Sequence, residues 1–162
     1  MVKRALKHLF TPHWLALRAF PSSALKAVER AIQASERLHR GELRFAIEGP
    51  LHLRSLRLPP RQRARDVFAR LGVWDTADNT GVLIYVQLVD RRIEILADRG
   101  IAARVPQHDW DAICRGMERA FKAGQHEQGA LDAIAAVTQI LAREFPARGA
   151  NPNELPDKPA VL

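Results

Sequence analysis

The amino-acid sequence predicts an α/β sandwich with a small mixed β-sheet, on three observations. Short apolar runs rich in β-branched residues alternate with longer segments whose apolar residues recur at helical spacing. The first predicted strand is followed by a helix and a second strand, and such a βαβ unit forms a right-handed crossover between parallel strands. A turn after the second strand leads into a third, which a hairpin adds antiparallel to the sheet.

The size and composition of the chain favour one globular domain. It has 162 residues, of which 47% are hydrophobic and 27% are charged, enough to close a single core. The single cysteine, Cys114, excludes a disulfide within the chain and fits a reducing compartment. The sequence shows neither a signal-peptide core nor a run of about 18 apolar residues. We therefore expect a cytoplasmic protein that spans no membrane.

Residues 1–21 form a basic amphipathic segment ahead of the domain. A stripe of apolar residues at helical spacing predicts a helix that ends before Pro12, and a second element covers residues 14–20. We interpret this segment as a contact with the membrane or a partner, made by Lys3, Arg4, Lys7, Phe10 and Trp14. The alternative is that the apolar stripe packs against the domain, with Trp14 and Phe20 as anchors.

We predict that one domain spans residues 22–146 and opens with a helix capped by Ser22 or Ser23. The next segment, ELRFAIE at residues 42–48, alternates in the manner of a strand with unequal faces. A second helix begins at the Pro59-Pro60 pair, runs through Leu71 and ends at Gly72.

The remaining elements follow in the second half of the chain. Residues 81–89, GVLIYVQLV, form a nearly continuous apolar run, which predicts a strand buried on both faces. A turn at Asp90-Arg91 leads into the strand RIEILA, and two amphipathic helices follow. Residues 147–162 are rich in proline and show no period, so we expect a tail that is disordered or lies along the surface.

Positive charge is concentrated in the first part of the chain. Residues 1–70 hold 15 Lys and Arg against 5 Asp and Glu, whereas residues 71–162 hold 10 against 13. We interpret one group of arginines as contacts for an anionic partner: Arg54, Arg57, Arg61, Arg63, Arg65 and Arg99. The alternative is that they pair with the acidic second part of the same domain. No helix-turn-helix, zinc finger or aromatic RNA-binding strand is visible, so we do not expect sequence-specific binding of nucleic acid.

Two loops carry the candidate metal ligands, which are Asp75, Asp78, Asn79 and Asp98. A two-residue turn in the hairpin would place Asp98 opposite Leu83 and Gly100 opposite Gly81, so the two loops should meet. Oxygen ligands of this kind suit calcium or magnesium. The alternative is that Asp75 and Asp78 are turn or cap residues and that Asp98 pairs with an arginine.

Other chemistry has little support in the sequence. The GxSxG, Walker, GxGxxG, HExxH and CxxC signatures are absent. Glu36 and His39 have the spacing of a carboxylate–histidine metal pair, but such sites need a second copy, and none is present. We interpret these two residues as a solvated helix end and Cys114 as a small core residue.

Residues 70–101 resemble the TPM domain family. The turns Asn79-Thr80-Gly81 and Asp98-Arg99-Gly100 and the spacing of Phe121, Gly124 and Gly129 fit its pattern. The resemblance covers residues 22–146 and is greatest to a short proteobacterial branch without a signal peptide. It implies an α/β/α sandwich, with calcium binding and acid phosphatase activity in some members. In bacteria it implies no settled role, although the genes often neighbour those of LemA-type membrane proteins.

Two functions follow as expectations. The first is a non-enzymatic accessory module, peripheral to the inner membrane, that works with a membrane protein, such as a LemA-type protein, or at an anionic membrane surface. The second is a divalent-metal-dependent acid phosphatase that acts on phosphomonoesters. It would use Asp75, Asp78 and Asp98 to hold the cation and Arg99 to hold phosphate.

Overall fold

A computed structural model describes residues 2–149 and 152–162 of the chain. The α/β prediction is confirmed, with helices on both faces of a small mixed sheet. The elements described are α1 (Val2–Phe10), α2 (His13–Leu17), α3 (Ser22–Ser35), β1 (Glu42–Glu48), a 3₁₀ turn (Ser55–Arg57), α4 (Pro60–Arg70), β2 (Gly81–Gln87), β3 (Arg92–Ala97), α5 (Arg99–Ala102), α6 (Gln107–Lys122), α7 (His126–Glu144) and β4 (Ala160–Val161).

The strand order in the described residues is β3-β2-β1-β4. β1 pairs in parallel with β2, from Glu42 opposite Gly81 to Glu48 opposite Gln87, as expected of a βαβ unit. β3 joins β2 antiparallel through the hairpin. β4 pairs in parallel with β1 and was not expected, because a two-residue strand in a proline-rich segment has no period to detect.

The predicted register of the hairpin is wrong by two residues. Gln87 lies opposite Arg92, so the turn comprises the four residues 88–91 rather than two. Arg91 accommodates the longer turn with a left-handed backbone, at a φ of 54°. Leu96 therefore lies opposite Leu83, in place of Asp98. Because a shift of two residues preserves the alternation of a strand, the side chains of β3 remain on the expected faces.

The core has two parts, one on each face of the sheet. Helices α3, α6 and α7 cover one face, where the fully buried side chains include Ile32, Ile84 and Trp110. Helix α4 covers the other face with Ala64 and Val67. All seven positions of β2 are buried, as its apolar run predicts.

Two smaller expectations need correction, and one short helix was not predicted. Pro21, not a serine, occupies the cap position of α3, and no side-chain hydrogen bond caps that helix. The predicted unequal faces of β1 are wrong, since all of its residues are buried, including Glu42 and Glu48. The short helix α5 begins directly after Asp98 and has too few residues to show a helical period.

Candidate functional site

Helix α1 contacts the domain through its polar side. Arg4 reaches the β2–β3 turn, where its Nε and Nη2 donate hydrogen bonds of 2.9 and 2.7 Å to Oδ2 of Asp90. Its Nη1 donates a third, of 2.7 Å, to the carbonyl oxygen of Leu56. Burial alone would raise the pKa of Asp90, but hydrogen bonds from Arg4 and His8 hold that pKa below its usual value.

His8 makes the second polar attachment of α1 and is buried. Its Nδ1 accepts a hydrogen bond of 2.9 Å from the backbone N–H of Leu51, and its Nε2 lies 3.0 Å from Oδ1 of Asp90. Since Nδ1 accepts, the neutral ring carries its proton on Nε2 and donates it to Asp90. Arg4 and His8 thus fix the helix to one carboxylate.

The apolar side of α1 faces outward. Leu9 and Phe10 are 71% and 76% exposed, Leu6 is exposed beside them, and α2 adds Trp14 at 64% and Leu15. We call these five residues the amino-terminal patch. Monomeric proteins rarely expose large apolar residues together, and such groups mark interaction surfaces. The alternative in which the stripe packs against the domain is therefore wrong.

The predicted contact residues of this segment fall into two groups. Lys3, Lys7, Phe10 and Trp14 are exposed, whereas Arg4 binds Asp90. Trp14 is not an anchor on the domain. Phe20 is one, because it is buried between the rings of Phe45 and Phe121, with centroid distances of 6.0 and 5.7 Å.

The predicted arginine contacts also divide. Arg61 donates to Oε2 of Glu94 at 3.2 Å and to Oε1 of Gln107 at 2.6 Å. Arg63 donates to both carboxylate oxygens of Glu48, at distances from 2.5 to 3.2 Å. Both arginines serve the domain itself. Glu94 lies in the acidic second part, as the alternative proposed, whereas Glu48 lies in the first part.

The other arginines of this segment point to solvent. Arg54, Arg57 and Arg65 are exposed, and within the described residues their side chains form no hydrogen bond or ion pair. Arg99 lies apart from them and donates from Nε to Oδ1 of Asn79 at 2.9 Å. The structure therefore leaves three of the six predicted arginines available to an external anion.

The two loops with the candidate metal ligands do meet, as predicted. The backbone N–H of Gly100 donates to the carbonyl oxygen of Asn79 at 3.1 Å. A Cβ atom at position 100 would lie 2.6 Å from that oxygen, so only glycine allows this approach. Asn79 itself has a left-handed backbone, with a φ of 55°.

The carboxylates of these loops do not converge. Asp78 pairs with Nη1 of Arg40 at 3.1 Å, and Oδ1 of Asp98 accepts the backbone N–H of Arg99 at 2.7 Å as the cap of α5. Asp75 is exposed. Asp98 has one buried oxygen with no hydrogen-bond partner in the described residues, but one oxygen is not a ligand set. Among those residues, no three His, Cys, Asp or Glu side chains could hold a metal ion. In this structure the three carboxylates therefore do not form a shared ligand set.

The interpretation of Glu36 and His39 as a solvated helix end is wrong, because both side chains are buried. The carboxyl-terminal segment folds back beside them, and the backbone N–H groups of Glu154 and Leu155 donate to Glu42. Burial raises the pKa of Glu36 to about 8 and lowers that of His39 to about 4. No local pattern signals this burial, since Pro146, which pairs with His39, and Asp157, which lies near Glu36, are more than a hundred positions away.

Cys114 is buried in the core, as expected. Burial raises the pKa of its thiol to about 12, so the thiolate is disfavoured. Cys114 is therefore a packing residue and not a nucleophile. Within the residues that the structure covers, no helix is long and apolar enough to cross a bilayer.

Comparison with known proteins gives a family and two structural relatives. The TPM domain matches residues 18–140. The NMR structure of the BA42 protein from the psychrophilic bacterium Bizionia argentinensis is 31% identical and has a TM-score of 0.78, covering 88% of this chain and 95% of that one. The N-terminal domain of a P. gingivalis protein, solved by NMR, is 19% identical with a TM-score of 0.64, covering 81% and 83%, and shares the fold. No curated protein matches the chain.

Proposed function

The chain belongs to the TPM domain family, and from this premise we propose that it is a non-enzymatic accessory module that binds an anionic membrane surface through its amino-terminal patch. One observation carries the proposal: α1 bonds to the domain by its polar side and presents its apolar side to solvent. An amphipathic helix that packs on its own domain does the opposite: its apolar side faces the core and its polar side faces solvent.

The chemistry of the patch suits a lipid surface. Phe10 and Leu9 can enter the boundary between headgroups and acyl chains, and tryptophan side chains such as Trp14 favour that boundary. Lys3 and Lys7 are exposed on the same helix, and each cation near an anionic surface contributes about 1 kcal/mol. The exposed Arg54 and Arg57 add to the positive charge of the first part of the chain.

The polar attachment of α1 also lowers the cost of binding. A free helix of about ten residues is unstable in water, so it would have to fold on the membrane. Arg4 and His8 already hold α1 against Asp90. The helix is therefore already ordered before it meets the membrane, so the loss of conformational entropy does not reduce the free energy of binding to lipid.

Sedimentation with lipid vesicles tests this proposal. Wild type should bind vesicles that contain phosphatidylglycerol more strongly at low salt than at physiological salt, because salt screens the cations. The double variant Phe10→Ser, Trp14→Ser should lose most of this binding. The control is Leu38→Ser, Trp74→Ser, which removes two exposed apolar residues elsewhere on the surface.

Two results would contradict the proposal. Equal binding by the wild type and the Phe10→Ser, Trp14→Ser variant would remove the patch from the contact. Binding to native membranes, with none to protein-free vesicles, would show that the partner is a membrane protein and not lipid.

The phosphatase alternative has a separate test. It requires Asp75, Asp78 and Asp98 to share a cation, and within the described residues they form no such cluster. We expect no turnover of a phosphomonoester with calcium or magnesium. Metal-dependent turnover that Asp78→Ala abolishes would overturn the non-enzymatic assignment.

A further inference from the structure

We infer that a cleft beside the amino-terminal patch binds the phosphate headgroup of a single anionic phospholipid, with Arg70 as the cation that contacts it. The inference rests on the proposed membrane association and specifies the lipid class. The cleft has a volume of about 560 Å³ and is bounded by α1, the segment that follows β1, and α4.

The cleft lies where ligands commonly bind in α/β proteins. Its walls include Glu48, the last residue of β1, and Leu162, which directly follows β4. After β1, the chain adds β2 on one side of it and later β4 on the other side, so the order of the strands in the sheet reverses at β1. In open α/β sheets, ligands bind outside the carboxyl ends of the strands at such a point.

The charge of the cleft favours an anion. The negative charge of Glu48 is balanced within the fold. Arg63 donates to both of its oxygens, and the Tyr85 hydroxyl donates to Oε2 at 2.5 Å. Arg70 lies two helical turns after Arg63 and also lines the cleft. Within the described residues the Arg70 side chain has no acidic partner. The cleft therefore offers one cation that no carboxylate already occupies.

The apolar rim distinguishes a lipid from free phosphate. Leu9 and Leu53 both line the cleft and are 71% and 69% exposed. Leu9 also belongs to the amino-terminal patch, so the cleft and the patch are continuous. A phospholipid carries a phosphate next to acyl chains and can satisfy Arg70 and the two leucines together, whereas inorganic phosphate can satisfy only the arginine.

Calorimetric titration with dihexanoyl phosphatidate, below its micelle concentration, tests the site without a membrane. We expect wild type to bind and Arg70→Gln to bind at least about 10-fold more weakly, the effect of one charge-assisted hydrogen bond. The matched control is Arg65→Gln, because Arg65 is an exposed arginine of α4 that lines a different cavity. It should bind like the wild type. Thermal unfolding of each variant confirms that it is folded.

Several outcomes would overturn the inference. These are no binding by the wild type, equal affinity for inorganic phosphate, equal affinity for dihexanoyl phosphatidylcholine, or equal losses in Arg70→Gln and Arg65→Gln. The two proposals fail separately. Binding of the short lipid without sedimentation on vesicles would refute the membrane association and keep the cleft. Sedimentation on vesicles without binding of the short lipid would refute the cleft alone.

Discussion

Glu36 gives the fold a specific dependence on pH. Its side chain is only 9% exposed, and its Oε1 accepts the backbone N–H of Leu43 at 2.9 Å. Burial is the main reason that the pKa of this carboxyl is raised to about 8; the nearby acidic groups Glu42 and Asp157 contribute to the rise, and the hydrogen bond from Leu43 opposes it. Between the ordinary pKa of 4.5 and this value, the folded protein holds a proton that the unfolded chain releases.

The sign and size of the effect follow from this difference. Because the folded state binds more protons, the free energy of unfolding falls as the pH rises from 4.5 to about 8. The slope is at most about 1.4 kcal/mol per pH unit. From this group alone, the protein should be about 2 to 3 kcal/mol less stable at pH 8 than at pH 6.

The substitution Glu36→Gln removes the titrating group and keeps the oxygen that accepts from Leu43. Urea unfolding, followed by the fluorescence of the buried Trp110, should show a much smaller loss of stability between pH 6 and pH 8 in this variant than in wild type. Glu127→Gln changes an exposed glutamate in the first turn of α7 and should keep the slope of the wild type. Equal slopes in Glu36→Gln and wild type would refute this reasoning.

Three further substitutions test the architecture. Ile84→Asp should unfold the protein, because it places a charge in the core between the sheet and helices α3, α6 and α7; circular dichroism with a wild-type midpoint would show that β2 is not the central strand. Tyr85→Phe should cost about 1 to 3 kcal/mol in urea unfolding, because Glu48 loses a buried donor. An unchanged midpoint would contradict that role. Asp90→Ala should speed hydrogen exchange in α1 and leave β2 unchanged; unchanged exchange in α1 would show that Asp90 does not hold the helix.

The strands that could be predicted from the sequence carry strong local signals. The apolar run at residues 81–89 predicted β2, which ends two residues earlier, at Gln87, and is buried throughout. The alternation in residues 42–48 located β1 with its observed ends. It did not reveal that the charged residues of β1 are buried, because their partners, such as Arg63, come from other elements.

The features that could not be predicted depend on distant contacts. β4 is a two-residue strand that forms only because the carboxyl-terminal segment reaches Ala46 and Ile47. The burial of Glu36 and His39 likewise depends on how the chain folds around them. For the candidate metal site, the spacing of residues along the hairpin correctly predicted that the two loops meet. It could not show that Asp78 turns to Arg40.

The orientation of α1 decides between two functions for one sequence pattern. Helical periodicity establishes that Leu9 and Phe10 share a side opposite Arg4 and His8, but not which side meets the domain. Here Asp90 satisfies both polar residues, so these hydrogen bonds hold the helix by its polar side and leave Leu9 and Phe10 exposed. Full burial of a leucine or phenylalanine side chain gains about 1.5 to 3 kcal/mol, and the fold leaves that gain unused. Contact with lipid can therefore recover it without breaking any bond that holds the helix in place.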